Sequence, residues 1–300
     1  MKMLKVFEKR RSVREYKDKA LSAAQIATIM KLTDECPKPA DSINVDFMFM
    51  ENGEDVAKNL TGIAGYNGVM IEAPHYLVVM ATEGENGHKV AGYAGEWLIL
   101  NLTKEEIGTC WLDGERGEEI KQKLHIDSPL KVTGLIAIGM AAYDPRLANI
   151  YDTNMEGSVS PLTDLGYPHI KPEYSSEPQS GRISIEELVY LRKWGASVDA
   201  NELAKRGYSD VFYYMRLAPS WGNRQPWRFI LDGTKIVLVM KRDDRVHDDI
   251  EEIEAGIAML YFEVAMHGIG LPGHWNMDKL ENTDKYSIPE GHFIGGYYTF

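Results

Sequence analysis

Pro219-Ser220-Trp221-Gly222-Asn223-Arg224-Gln225-Pro226-Trp227-Arg228-Phe229 is the stretch on which the reading of this chain turns. Pro219 fixes φ and Gly222 permits a tight turn, so the segment is expected to be a rigid bend. Ser220, Asn223 and Gln225 offer short polar side chains. The bend then feeds directly into an apolar strand predicted from Trp227 to Leu231. A plain core needs no such combination, whereas a planar ligand with a polar edge does. The competing reading is an ordinary loop that caps a helix near 208–217.

Outward from the bend, the second half predicts a strand at Lys235–Met240 and a closing strand at Phe293–Phe300. Between them lies a long helix with Ile253, Ile257, Leu260 and Val264 inward. The first half reads similarly. Ser22-Ala23-Ala24-Gln25 is a capping box, followed by Ile26, Ile29 and Met30 at helical spacing, which places a helix at about 22–35. Pro37 and Pro39 break the chain before strands at Val45–Met50 and His75–Ala81. A stripe of Val90, Ala94, Trp97, Leu98, Asn101 and Leu102 fills a buried helix at about 88–106, and Val132–Ala142 is a further strand.

Landmarks recur in order. Pro37…Phe47-Met48-Phe49 is echoed by Pro219…Trp227-Arg228-Phe229, and Ala94-Gly95…Ile107-Gly108…Trp111 by Ala255-Gly256…Ile269-Gly270…Trp275. Two units point to an old duplication rather than a solenoid. Residues 143–182, rich in Pro, Gly, Ser and Tyr, read as a long connection.

Three further segments carry chemistry. Arg10-Arg11-Ser12-Val13-Arg14 groups three guanidiniums and a hydroxyl that can surround a phosphate; the alternative is the solvated basic end of a short helix. Ile107-Gly108-Thr109-Cys110-Trp111-Leu112-Asp113-Gly114 is expected as a loop after the buried helix. Trp111 would form a wall, and the amides of Leu112 to Gly114 would face a heteroatom. Gly181-Arg182 precedes a helix start at Ser184, and Arg182 either adds charge to an anion site or sits on the surface. Gly62-Ile63-Ala64-Gly65-Tyr66-Asn67-Gly68 is not a Walker or dinucleotide fingerprint, and Asp248–Glu252 reads as a solvated helix start. No GxSxG or HExxH occurs, so neither a serine hydrolase nor a metal site is expected.

Bulk properties narrow the field. Among 300 residues, 33 basic against 45 acidic give −12, which disfavours nucleic acid or an anionic membrane as the main partner. Cys36 and Cys110 make no disulfide framework. No apolar signal core and no run near the ~20 residues of a membrane span is seen, so a cytoplasmic protein is expected.

Taken together these segments resemble the nitroreductase superfamily of flavin mononucleotide (FMN) enzymes. Its R-x-S-x-R/K start is matched by Arg10–Arg14, its P-S-x-x-N-x-Q-P-W-x-F motif by Pro219–Phe229, and its G-T/S-C-W-I-G-G motif by Gly108–Gly114 with Asp113 at the first closing glycine. Gly181-Arg182 resembles the C-terminal basic pair. The order departs from ordinary members, because the proline–asparagine motif sits in the second half and residues 36–42 have lost the pattern. The chain therefore resembles a single-chain tandem branch that imitates the family's homodimer. This implies an α+β nitroreductase-like fold, with central mixed or antiparallel sheets flanked by helices. Two degenerate copies would occupy 1–145 and 184–300, joined by 146–183, with one complete site per monomer.

The resemblance further implies FMN chemistry at flavin N5, with no catalytic side chain. NADH or NADPH would be the donor and a nitroaromatic or quinone the acceptor, in a ping-pong cycle. Arg10, Arg11, Ser12, Arg14 and Arg182 would hold the phosphate. Pro219, Ser220, Asn223 and Gln225 would meet the ring or ribityl edge. Trp111, Leu112, Asp113 and Gly114 would border N5 and O4, and Asp113 would shift the potential downward. The alternative is a flavin-binding store or sensor that does not turn over.

Overall fold

The computed structural model describes residues 3–40, 42–142 and 181–300. The connection predicted at 146–183 lies outside the described residues except for Gly181–Ile183. The first half holds α1 (Met3–Lys9), α2 (Ala23–Asp34), β1 (Val45–Met50), α3 (Gly53–Leu60), β2 (His75–Ala81), α4 (Gly87–Lys104), β3 (Gly108–Asp113), α5 (Gly117–Leu124) and β4 (Lys131–Gly139). The second holds α6 (Ile185–Leu188), β5 (Val189–Leu191), α7 (Ala200–Lys205), α8 (Ser209–Met215), β6 (Trp227–Asp232), β7 (Lys235–Lys241), α9 (Asp248–Gly268), β8 (His274–Asn276) and β9 (His292–Thr299).

Local chemistry sets most of these boundaries. The Ser22 side chain accepts from the Gln25 amide and the Gln25 side chain answers the Ser22 amide, so α2 begins where the capping box predicts. Strands β1 and β2 fall on their predicted residues. The segment expected as a loop at 107–114 is instead a strand, β3, paired antiparallel with β4 from Gly108↔Gly139 to Asp113↔Gly134. Flanking glycines made it read as a loop. Its interior Thr109-Cys110-Trp111-Leu112 is β-favouring, and pairing with β4 settles the matter.

The first sheet runs β1-β2-β4-β3, all antiparallel; the second runs β5-β6-β7-β9-β8, mixed because β5 is parallel to β6. Without β5 the two orders are the same, with β6, β7, β9 and β8 in the places of β1, β2, β4 and β3. Each sheet also has a register shift in its central pair, between Val79 and Met80 and between Leu238 and Val239.

The period-2 pleat of β2 splits its wholly buried run between two faces. Leu77 and Val79 meet Ala91, Ala94 and Leu98 of α4, while Val78 and Met80 meet Val56 and Leu60 of α3 and Ile120 of α5. Helix α9 covers the second sheet in the same manner, with Ala255, Met259 and Phe262 against Phe229, Leu238 and Tyr298. Helices α4 and α9 then pack on each other between the sheets. A Cβ on Gly92 would overlap the Ile253 carbonyl oxygen, and one on Gly256 would overlap that of Lys89. These two glycines let the backbones touch. Gly92 and Gly256 are as far apart in the chain as Trp111 and Trp275. Helix α1 crosses from the first half into the second core, where Phe7 stacks on Tyr261 with ring centroids 4.1 Å apart.

Candidate functional site

A cleft with about 570 Å³ of empty space, open solvent included, lies where five segments of the two halves meet. Arg10 and Ser12 form one end. Trp111, Leu112 and Asp113 of β3 form a wall beside Tyr66, whose Gly65–Tyr66 segment bridges to Asp113. Pro219, Ser220 and Trp221 form another wall, and Ile250, Ile253, Glu254 and Ile257 close it from α9. Those four α9 residues recur at helical spacing, so one face of the helix supplies them.

At the basic end, Arg10 is buried with its Nε 3.0 Å from Glu96 Oε1 and its Nη1 donating to Ser12 Oγ at 3.2 Å. Glu96 is fully buried; Trp111 Nε1 donates to its Oε2 at 2.8 Å and Tyr261 OH to its Oε1 at 3.4 Å. Burial, the largest effect, opposes the Arg10 charge, but the Glu96 carboxylate together with Tyr261, Cys110 and Tyr66 outweighs it and holds the guanidinium above its ordinary value. Arg10 Nη2 is buried and has no hydrogen-bond partner among the described residues. Arg182 stands close enough to Arg10, Arg11 and Arg216 to feel their charge. Burial first and then those neighbours bring it down to about 10. Four guanidiniums thus share one region, and Glu96 offsets one of them.

The bend folds as its residues predict. Trp221–Asn223 is a single 3-10 turn, and φ is positive at Gly222 (57°), Asn223 (56°) and Gln225 (51°). The Gln225 amide donates to Ser220 Oγ at 2.9 Å. Asn223 and Gln225 point elsewhere than the cavity. Asn223 Nδ2 and Gln225 Nε2 both donate to the Gly181 carbonyl at 2.8 Å, and Gln225 Oε1 accepts from the Ile183 amide at 3.0 Å. They clamp the strand of chain that carries Arg182, whose Nη1 donates to Ala218 O at 2.6 Å. Gln225→Ala removes all its side-chain bonds from a buried site. It is expected to cost about 2 kcal/mol in urea unfolding and to speed tryptic cleavage after Arg182.

Of the residues singled out in the sequence, Arg10, Ser12, Trp111, Leu112, Asp113, Pro219 and Ser220 share the cavity. Arg11 is exposed and donates to the Glu8 and Arg10 carbonyls. Arg14 is exposed with its guanidinium 5.8 Å over the Tyr66 ring. Gly114 packs against the chain, where a Cβ would stand 2.7 Å from Gly134 Cα. Burial pushes the Asp113 carboxyl up, while the Glu115 and Gly114 amides pull it back.

Sequence reasoning passed over Glu96, Arg216, Glu254 and Ile250; it read Ile253 and Ile257 only as the inward face of the long helix, and Tyr66 only as part of a Gly-rich segment able to cover the ligand. The signal for the two carboxylates was available: each interrupts the apolar face of a long buried helix, where an unpaired acid is costly. Among the described residues no group of His, Cys, Asp and Glu is placed to hold a metal ion, and no helix is long and apolar enough to cross a membrane.

Residues 2–173 match the family model described as "Putative TM nitroreductase". The chain belongs to that nitroreductase family. No curated protein matches it. Among solved structures, a Thermotoga maritima protein described as a "putative nitroreductase" superposes with TM-score 0.54 at 15% identity, covering 99% of this chain and 92% of that one. This likeness is one of fold, and it extends through both halves. An "FMN-dependent Nitroreductase" of Clostridium difficile gives TM-score 0.40 at 21% identity over 46% of this chain and 87% of its own. A Bacteroides fragilis "Nitroreductase with Bound FMN" gives 0.41 at 19% over 47% and 89%.

Proposed function

We propose that this chain is an FMN-dependent oxidoreductase that takes hydride from NADH or NADPH and passes it to an aromatic acceptor of quinone or nitroaromatic type. The observation that carries this reading is one cavity reaching from a buried, incompletely bonded guanidinium to the Pro219–Trp221 bend and β3. The donor set fits a phosphate ester with a planar ring. Arg10 offers Nη2, Ser12 offers a hydroxyl, and Arg11, Arg182 and Arg216 raise the local positive potential. Family membership and the FMN named for two of the similar structures support the same reading.

Bound there, the flavin would supply the hydride chemistry. The protein's part is to orient and exclude. Trp111 is fixed by Glu96 and stands as a wall, and the β3 backbone at Leu112 and Asp113 borders the ring. Ser220 and Pro219 close the opposite edge, and the α9 isoleucines keep water from that face.

We assign residues 1–145 and 184–300 to two diverged copies joined by 146–183, so that a single chain completes one site. The shared strand order supports this. An asymmetry supports one site rather than two. Trp111 Nε1 donates to the Arg10-paired Glu96, whereas Trp275 Nε1 donates to the Met259 backbone carbonyl at 2.9 Å. The mirror position thus lacks the carboxylate–arginine pair.

The purified protein is expected to take up one FMN per chain, to bleach anaerobically with NADH or NADPH, and to regain its absorbance on addition of p-benzoquinone. A protein that takes up no FMN sinks the cofactor assignment. A yellow protein that neither nucleotide bleaches sinks the enzyme and leaves a store or sensor.

A further inference from the structure

We infer that Glu254 is a positioning residue. Its carboxylate latches the Pro219–Arg224 bend to α9, and the cavity holds its ligand more tightly when that carboxylate is ionised than when it is protonated. The inference rests on the cofactor reading above for the identity of the ligand, but the latch itself does not.

The geometry is direct. Glu254 is 2% exposed and lines the cavity. Its Oε1 accepts from the Trp221 amide at 2.5 Å, and its Oε2 accepts from Arg224 Nη2 at 2.8 Å. Both donors belong to the bend that forms one wall, and both bonds reach it from α9. Asn223 in the bend and Gln225 just after it have positive φ, a conformation that a residue other than glycine keeps only when surrounding contacts impose it. A carboxylate accepts such bonds with charge assistance; a neutral carboxyl loses that part of the strength.

The charges around Glu254 set when this happens. Arg224 is shared: it also stands 3.5 Å from Asp243 Oδ2 and 4.0 Å from Glu251 Oε1. Arg242 pairs with Asp248 and Glu251, and Arg245 with Asp243. From α4, Lys89 pairs with Glu252 and His88 with Asp249, which Lys131 of β4 also meets. Asp113 of β3 shares the cavity, and Glu115 beyond it pairs with His247. Glu254 is therefore left with a fraction of one countercharge. Burial pushes it up to about 7, Arg224 and the Trp221 amide pull it down, and Glu251 adds to the rise.

The sign of the linkage separates a local latch from global unfolding. A folded value above the ordinary glutamate value of about 4.3 means that the folded state gains stability as Glu254 takes up its proton. Lowering pH from 8 to 6 thus favours the fold through this group while releasing the bend. Loosening at pH 6 is confined to the wall.

The test uses the full chain. In ¹⁵N-labelled protein without added flavin, the Trp221 amide is expected to titrate with a midpoint near 7 in wild type and to stay flat between pH 6 and 8 in Glu254→Gln. FMN affinity is then measured at pH 6 and 8 in both. The phosphate's own titration is common to the two proteins and cancels in the comparison. Wild type is expected to weaken at pH 6 by about tenfold more than Glu254→Gln, the ratio of ionised fractions one unit either side of the midpoint. A Trp221 amide that does not titrate in wild type overturns the latch, as does the same pH dependence in both proteins. Failure to take up FMN at either pH overturns the cofactor reading instead, and the amide titration still decides the latch.

Discussion

Arg10→Ala is expected to lower the unfolding free energy by about 3–5 kcal/mol, the usual cost of removing one partner from a buried ion pair. Arg10 is the counter-ion of Glu96, which has no exposure to solvent. After the substitution Glu96 keeps the Trp111 indole and the Tyr261 hydroxyl as donors, but neither brings a charge. Burial already pushes the Glu96 carboxyl above its ordinary range, and without Arg10 the push is stronger. A raised folded value places the penalty at high pH: it is absent where the unfolded group is protonated and grows as pH rises. The defect of Arg10→Ala should therefore be larger at pH 8 than at pH 5, measured by urea unfolding at both. On the proposed assignment the same change also removes a charge-assisted bond to phosphate and weakens FMN binding about ten- to a hundredfold. The two consequences separate in the double variant Arg10→Met with Glu96→Gln. It should regain most of the stability, because the isolated charge is gone, and none of the binding. An Arg10→Ala protein that unfolds at the wild-type urea concentration would falsify the buried pair.

The Arg10 case shows what the sequence conveys and where it stops. Four of the five positions in Arg10–Arg14 advertise an anion site by composition, and the fold uses them unequally. Arg10 enters the cavity because the Val13 amide bonds to Thr109 O and seats the segment against β3. Arg11 and Arg14, by contrast, are exposed on the outer side. The bend at Pro219 was legible for its shape, since Pro, Gly and Asn state their φ preferences locally. What its amides and side chains bond to was not. Asn223 and Gln225 bind Gly181 and Ile183, some forty residues earlier, and Trp221 and Arg224 bind Glu254, some thirty residues later. Strands β1 and β2 were legible because apolar pattern and proline breaks are local. Strand β3 was not, because its strand state comes from the β4 partner. Glu96 and Glu254 were hidden within apolar helices whose stripes read as core, yet each is the acid that places a cavity wall.

Gly256→Ala tests the framework that brings those walls together, and it is expected to cost about 3 kcal/mol or more, the upper range for overpacking. The obstacle to the added methyl is the Lys89 carbonyl oxygen of α4, which is backbone and cannot rotate away. Two effects compete. Alanine favours a helix interior over glycine by about 1 kcal/mol, whereas separating α4 from α9 loosens contacts along a crossing buried on both sides. The second is larger, so the net sign is destabilising. Gly92→Ala meets the Ile253 carbonyl in the same way from the other helix and should behave alike. Because the two sites are in contact, the double variant should cost less than the sum of the singles: once one methyl has moved the helices apart, the second finds room. The effect also reaches the cavity. Ile253, Glu254 and Ile257 flank Gly256 on α9, while Glu96, one turn from Gly92 on α4, holds Trp111. Spreading the crossing therefore moves opposite walls apart, and the Trp221 amide of Gly256→Ala should lose part of its protection from hydrogen exchange. Urea unfolding of the two singles and the double decides it. Additive costs, or an alanine that stabilises, would mean that the helix backbones do not meet at these glycines.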